Sequence, residues 1–363
     1  MKRAMGNLLA IMLGLLATGL LLEGVLRFFP VNEGLRTQPV NAAFPLHHFQ
    51  PDRTSTWSRF ADFSLHNQVH ANNYGFLNDQ DYDPDAPLPL VAVIGDSFVE
   101  AAMLPYTQTL QARLAQAMQD KARVYSFAAS GAPLSQYLAY SGYACTAFHA
   151  ERLIIVVVGN DFDESLKRYA DMPGFHYFEE QGDDLVLRLT DYAPSWATRL
   201  ARHSRLALYL FTNLRIQDLP GRLTQPSDAT QATFAGQTRA EADEQRLTLS
   251  RRAVDAFLAR LPEATGLATQ DVLFVLDGVR PQLYQDGFPG NAEHSYFWKM
   301  REYFSRKAQD KGFRLVDMQP LLLEQYRSTG QRFEFERDAH WNSAGHALAA
   351  QAVLESGLLD AYR

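Results

Sequence analysis

The sequence predicts an α/β protein: a three-layer sandwich in which helices cover both faces of a mostly parallel five-stranded sheet. Two observations carry that expectation. Five short apolar runs, LVAVIG (90–95), RVYSFAA (123–129), RLIIVVVG (152–159), DVLFVLDG (271–278) and FRLVDM (313–318), are rich in β-branched or aromatic residues, and several end in glycine or aspartate. Helix-like stretches such as YTQTLQARLAQAMQD and YFWKMREYFSRKAQDKG lie between them. Strands that alternate with helices favour a parallel sheet covered on both sides.

The chain of 363 residues is long enough for a sizeable core, and 47% hydrophobic with 21% charged residues is an ordinary globular composition. A formal net charge of -7 supplies no basic field for a phosphate backbone, so nucleic acid is not an expected partner. Cys145 is the only cysteine, which excludes an internal disulfide and any multi-cysteine metal site. No metal or cofactor is expected, and nothing in the sequence names a protein partner.

The N-terminus places Lys2 and Arg3 before an uncharged run from Ala4 to Leu22, about long enough to cross a bilayer core at roughly 1.5 Å per residue. The best small-x-small exit site, Ala17-Thr18-Gly19, lies inside the run and is followed by three leucines, which favours a retained anchor over a cleaved signal. Positive charge on the short side predicts that the rest of the chain lies outside the cytoplasm, as a single-pass protein with a periplasmic or other extracytoplasmic domain. Glu23 and Arg27, four apart on a helix, are placed to pair near the membrane exit.

The expected organisation is an anchor over 1–30, a polar N-terminal segment and linker over 31–89, and the α/β domain over 90–363. DQDYDPDAPLP (79–89), with four aspartates and three prolines, reads as the linker. The interval between the third and fourth strands exceeds one crossover and predicts an insertion at about 165–250, with a hairpin around Gly182 and a helix in EADEQRLTLSRRAVDAFLARL. An insertion over the carboxyl edge of the sheet would shape the substrate cleft.

Open parallel sheets bind ligands beyond the carboxyl ends of their strands, so the residues after each run are the candidates. Ser97 follows the first strand, Ser130-Gly131 the second and Asn160-Asp161 the third, while Asp338-Ala339-His340 follows the last helical stretch. A serine that attacks an ester needs a base, a partner that fixes the base, and donors for the oxyanion. His340 can be the base and Asp338 its partner. The N–H groups of Ser97 and Gly131, with the Asn160 amide, can be the donors.

These blocks resemble the SGNH, or GDSL, hydrolases: GDS at 95–97, a glycine at 131, GND at 159–161 and DAHWNSAGH at 338–346 stand in that family's order over residues 90 to about 355. The resemblance implies a flavodoxin-like SGNH fold with Ser97 as nucleophile, Gly131 and Asn160 as oxyanion donors, and Asp338 with His340 completing the triad. Phe98 replaces the family's leucine, Gly159 directly precedes Asn160, and Arg337 stands where Asp-x-x-His spacing would put the aspartate. The shorter Asp338-x-His340 spacing, followed by Trp341, is similar to alginate-type polysaccharide O-acetyltransferases; Glu336 is the fallback partner. Asn72-Asn73-Tyr74-Gly75-Phe76 resembles an N-x-x-G-[FY] element of membrane-anchored members.

What the resemblance implies is a serine ester hydrolase acting on O-acyl, foremost O-acetyl, esters of cell-envelope or exopolysaccharide glycans through an acyl-serine. A polysaccharide O-acyltransferase with the same triad is the alternative, and a non-catalytic glycan-binding or assembly component is a third reading. The expected partners are an acylated glycan or small ester and the lipid bilayer. Each residue also has a plainer role open to it. Ser97 or Asp338 could cap a helix, Asn160 and Asp161 could close a turn, and His346 is expected to be structural. His47 and His48 are expected in a solvated loop, and Asp277 in a strand-end turn.

Overall fold

The computed structural model describes residues 2–182, 184–219 and 234–362. Helix α1 (Lys2–Leu26) is long and apolar enough to cross a bilayer, and its side chains stand exposed along most of its length; Leu26 is the first that is buried. An antiparallel hairpin follows, β1 (Arg53–Arg59) with β2 (Leu65–Ala71). The sheet then begins with β3 (Leu90–Gly95), the short helix α2 (Ser97–Glu100), α3 (Leu110–Ala117), β4 (Arg123–Ala128), α4 (Leu134–Phe148) and β5 (Ala150–Val157).

The insertion comes next. It holds the hairpin β6 (His176–Gln181) with β7 (Asp184–Leu189), the short helices α5 (Trp196–Ala201) and α6 (Arg205–Leu208), and a small hairpin, β8 (Phe234–Ala235) with β9 (Thr238–Arg239). The first hairpin turns at Gly182, as expected. Residues 220–233 of the expected insertion lie outside the described residues. The domain closes with α7 (Glu244–Thr265), β10 (Val272–Leu276), α8 (Tyr296–Asp310), β11 (Arg314–Asp317), α9 (Met318–Thr329), the hairpin β12 (Glu334–Phe335) with β13 (Asp338–Trp341), and α10 (Ser343–Glu355). Helix α7 packs its apolar face into the core as the crossover to β10, so the insertion proper ends before it.

The sheet order is β11–β10–β5–β3–β4, and all four pairings are parallel. Its two faces can be read from β3: Leu90, Ala92 and Ile94 pack with α4, α7 and α8, whereas Val91 and Val93 pack with α3, α9 and α10. Helices on both faces require strands that are apolar on both sides, and every residue of β3 and β10 is buried.

Residues 79–89 do not hang free as a spacer. Strand β4 is the sheet's edge, and Tyr82 covers it, its hydroxyl accepting from Ser126 N at 2.9 Å and donating to Ser126 O at 2.6 Å as a neighbouring strand would. Gln80 Nε2 adds a bond to Val124 O at 3.3 Å. Upstream, Asn72 Oδ1 accepts from Tyr74 N and Phe76 N, closing the NNYGF turn. Gly75 sits in that turn at φ +74°, where a Cβ would overlap the carbonyl of Phe49. Its replacement by alanine combines left-handed strain with that overlap. Gly75→Ala is therefore expected to lower Tm by roughly 5 °C or more, measured by thermal unfolding of purified protein.

Candidate active site

Strands β4, β3 and β5 are adjacent, so the loops after their carboxyl ends, bearing Gly131, Ser97 and Asn160, emerge side by side. At Gly95 a Cβ would overlap the Val99 side chain, so glycine permits the tight turn from β3 into α2. Asp96 caps α2, accepting from Phe98 N at 2.9 Å. That role is thereby taken by the carboxylate, and the Ser97 hydroxyl is left for other partners.

Ser97 Oγ lies 2.7 Å from His340 Nε2 and 3.2 Å from Asp96 Oδ2. On the other side of the ring, His340 Nδ1 is hydrogen-bonded to Asp338 Oδ1, which also accepts from His340 N at 3.0 Å. With Nδ1 carrying its hydrogen toward Asp338, Nε2 presents a lone pair to the serine. Asp338 Oδ2 is ion-paired to Arg59 Nη1, from the N-terminal hairpin. The Asp338 side chain is only 1% exposed. Burial pushes its carboxyl up, but the hydrogen bond and charge of His340, together with Arg59, outweigh burial and hold it at about 2. It is ionised at neutral pH. Glu336 is exposed and makes no hydrogen bond to His340 among the described residues. Asn342 caps α10, accepting from Ala344 N at 3.0 Å and Gly345 N at 3.1 Å, so Asp338 is not the cap.

A packed layer holds this chain of groups. The buried Phe98 ring lies 5.0 Å from the His340 ring and meets Trp341 edge-on at 5.2 Å. Trp341 Nε1 donates to Asp277 Oδ1 at 2.9 Å, and Asp277 is ion-paired with the buried Arg280 at 2.6 Å. Asp277 thus stands at the end of β10 as a supporting residue, two layers behind the serine.

The expected oxyanion donors divide into two kinds. Gly131 has φ +81°, and its backbone N–H donates to no acceptor among the described residues. Its loop is pinned by buried Glu100, which accepts from Ser130 N at 2.6 Å and Ser130 Oγ at 2.8 Å; burial, partly offset by those bonds, raises Glu100 to about 7. Asn160 is half-buried and donates through Nδ2 to Glu164 Oε2 at 2.9 Å. Its neighbour Asp161 closes the turn, accepting from Val158 N at 2.7 Å and Tyr137 Oη at 3.0 Å. Burial also raises Glu164 to about 7, against the Asn160 hydrogen bond.

The small β8–β9 hairpin of the insertion sits on this edge. A Cβ at Gly159 would overlap Gly236 O, and Gln237 Nε2 donates to Ala339 O at 3.1 Å. Beside Glu164, a cleft of about 500 Å³ is lined by Asp163, Tyr169, Phe234, Gln237 and Arg239 among others.

Arg59, Glu100 and Glu164 were not legible as site residues: Arg59 acts 279 residues away from its partner, and neither glutamate belongs to a spacing pattern. His346 is structural, buried, with Nδ1 accepting from Leu110 N at 3.1 Å. His47 and His48 correct the expectation of a solvated loop. Both are buried, His47 against Phe175 at 4.4 Å and His48 stacked on Phe44 at 4.5 Å, and burial lowers both imidazoles. Phe175, from a distant segment, packs on His47, while the ring that stacks on His48 comes from its own segment.

No protein-family model and no curated protein matches the chain. Among solved structures, a lipolytic G-D-S-L family protein from Veillonella parvula aligns over 73% of this chain and 96% of its own at 11% identity, with a TM-score of 0.37. A lipase/acylhydrolase from Enterococcus faecalis aligns over 75% and 96% at 9% identity and a TM-score of 0.38. A two-domain esterase active on acetylated mannans aligns over 76% of this chain and 50% of its own, at 12% identity and a TM-score of 0.38. The chain is similar, at these levels, to lipolytic hydrolases of the G-D-S-L family.

Proposed function

We propose that this protein is an SGNH-type serine ester hydrolase that removes O-acyl, foremost O-acetyl, groups from cell-envelope or exopolysaccharide glycans, held at the bilayer by α1 with its domain outside the cytoplasm. The observation that carries the reading is the unbroken hydrogen-bonded series Arg59–Asp338–His340–Ser97 at the carboxyl edge of the parallel sheet.

Ser97 Oγ attacks the ester carbonyl carbon as its proton passes to His340 Nε2. Asp338 holds the ring and stabilises the imidazolium. The oxyanion is received by the N–H groups of Ser97 and Gly131 and by the Asn160 amide. That amide carries two hydrogens, so Glu164 can fix its orientation through one and leave the other for the oxyanion. The tetrahedral intermediate collapses, the alcohol leaves with the proton from His340, and water repeats the sequence to release the acid and restore Ser97. A glycan is supported by the polar cleft beside Glu164, whose exposed Tyr169 and Phe234 offer flat surfaces for sugar rings.

Ser97→Ala is expected to abolish acetate release from an acetylated oligosaccharide, by about 10⁴-fold or more, while circular dichroism stays unchanged. Full turnover in that variant would refute the assignment. Acetate release to water, rather than acetyl transfer to an added oligosaccharide, separates hydrolase from transferase. Asp338→Ala should lower turnover per folded molecule by about 10⁴-fold, and Glu336→Ala should leave it within about twofold of the parent. Equal, mild losses would make the pair Ser97–His340 a dyad.

A further inference from the structure

The exit of α1 carries a second charged site, far in sequence from the serine. The Glu23 carboxylate, in the last turns of α1, accepts from Ser204 Oγ at 2.9 Å, Arg205 N at 3.1 Å and Leu206 N at 2.9 Å. That clasp fixes the α5–α6 part of the insertion against the end of the apolar helix. Arg27, one residue past α1, then lines a cleft of about 430 Å³ with Arg36, Arg202, Arg205 and His203. Among the described residues Glu33 is the one carboxylate in its lining, already shared between Arg205 at 2.6 Å and Arg53 at 3.6 Å, and Glu23 pairs with Arg27 at 3.3 Å.

Two of the arginines are uncompensated. Arg36 and Arg202 have no carboxylate within ion-pair distance among the described residues; Arg202 donates to Tyr192 Oη at 3.1 Å, and Arg36 Nε is buried without a hydrogen-bond partner. The crowding is felt by Arg53, whose guanidinium is pushed down by burial and then by Arg36, with Arg202 and Arg205 adding to it against Glu33. Unpaired guanidiniums held together at partial burial are costly unless an anion joins them. Exposed apolar side chains lie close in sequence to these arginines: Phe28 directly follows Arg27 and is 90% exposed, while Trp196 and Leu200, four apart on α5 just before Arg202, are 77% and 65% exposed. Bulky exposed aromatics next to arginines at the end of an apolar helix match the boundary between headgroups and acyl chains.

We propose that this arginine cleft binds the headgroup phosphate of an anionic phospholipid from the bilayer that α1 crosses, with Phe28, Trp196 and Leu200 seated at the acyl boundary. The site rests on the reading of α1 as a retained anchor. It would fix the height and tilt of the catalytic domain over the membrane, since Glu23 and Arg27 belong to the anchor and Arg202 and Arg205 to the insertion that reaches the active-site edge.

The test is native mass spectrometry of the detergent-solubilised full-length protein titrated with phosphatidylglycerol or phosphatidylcholine. Phosphatidylglycerol should bind at about tenfold lower concentration, a preference of about 1.4 kcal/mol. Arg36→Gln with Arg202→Gln should abolish that preference and leave turnover of a soluble ester unchanged, while Arg36→Lys with Arg202→Lys retains part of it. Lys311→Gln with Arg327→Gln, the same charge change outside the cleft, should keep it. No lipid preference in the full-length protein, or a preference that survives in the glutamine variant, would overturn the site. Displacement of the lipid by millimolar inorganic phosphate would mark a site for a soluble phosphate compound and overturn the lipid assignment. The intact mass in the same spectra separates the two readings: a chain beginning near residue 20 contradicts the anchor and the lipid site with it, whereas a full-length chain without preference contradicts the site alone.

Discussion

The carboxylate of Asp338 is the group around which the carboxyl edge of the sheet is arranged. A buried ionised carboxylate is tolerated only when charge and hydrogen bonds replace the water it has lost. His340 satisfies one oxygen and Arg59 the other. Because Arg59 belongs to β1, docking of the N-terminal hairpin on the sheet's carboxyl edge supplies the second of the two partners that favour the charged carboxylate, after His340. Docking is reinforced nearby, where Asn67 Nδ2 donates to Ala102 O and Leu104 O behind α2, and Arg337 reaches Asp62 at 2.7 Å. The hairpin, the serine helix and the histidine strand are therefore one unit.

The same segment solves a second problem of the sheet. Among the described residues strand β4 has no strand beyond it, and the stretch around Tyr82 occupies its free hydrogen-bonding edge while burying the ring among Phe127 and Phe148. Residues between α1 and the sheet thus both seal its edge and supply a charge to the site. Removing them would expose an edge strand and leave Asp338 short of one partner, two consequences that a free linker would not have.

What was legible in the sequence was local. Apolar runs of six to eight residues specify strands by burial alone, and Ser97, Gly131 and Asn160 stand where those runs and their turns place them, whereas Asp338 and His340 were found by their own spacing and lie on the short strand β13. Residues 53–59 and 65–71 were not legible as strands, because RTSTWSR and LHNQVHA carry few apolar side chains and are held by pairing with each other and by polar contacts. Strands β12 and β13 are too short to show a period. Pairings such as Arg59 with Asp338, or Glu164 with Asn160, depend on which loops meet over the edge, and no spacing in one chain encodes that. The burial of His47 was hidden for the same reason, since Phe175, which packs on it, comes from a distant segment.

The reading of this edge as an active site depends on the Asp338–His340 pair making Ser97 a nucleophile. A fluorophosphonate probe, applied to the full-length protein and followed by peptide mapping, reads that property directly because it bonds only to an activated hydroxyl. One adduct is expected, on the peptide that carries Ser97. A folded protein that takes no label, or one labelled at a different serine, would contradict it.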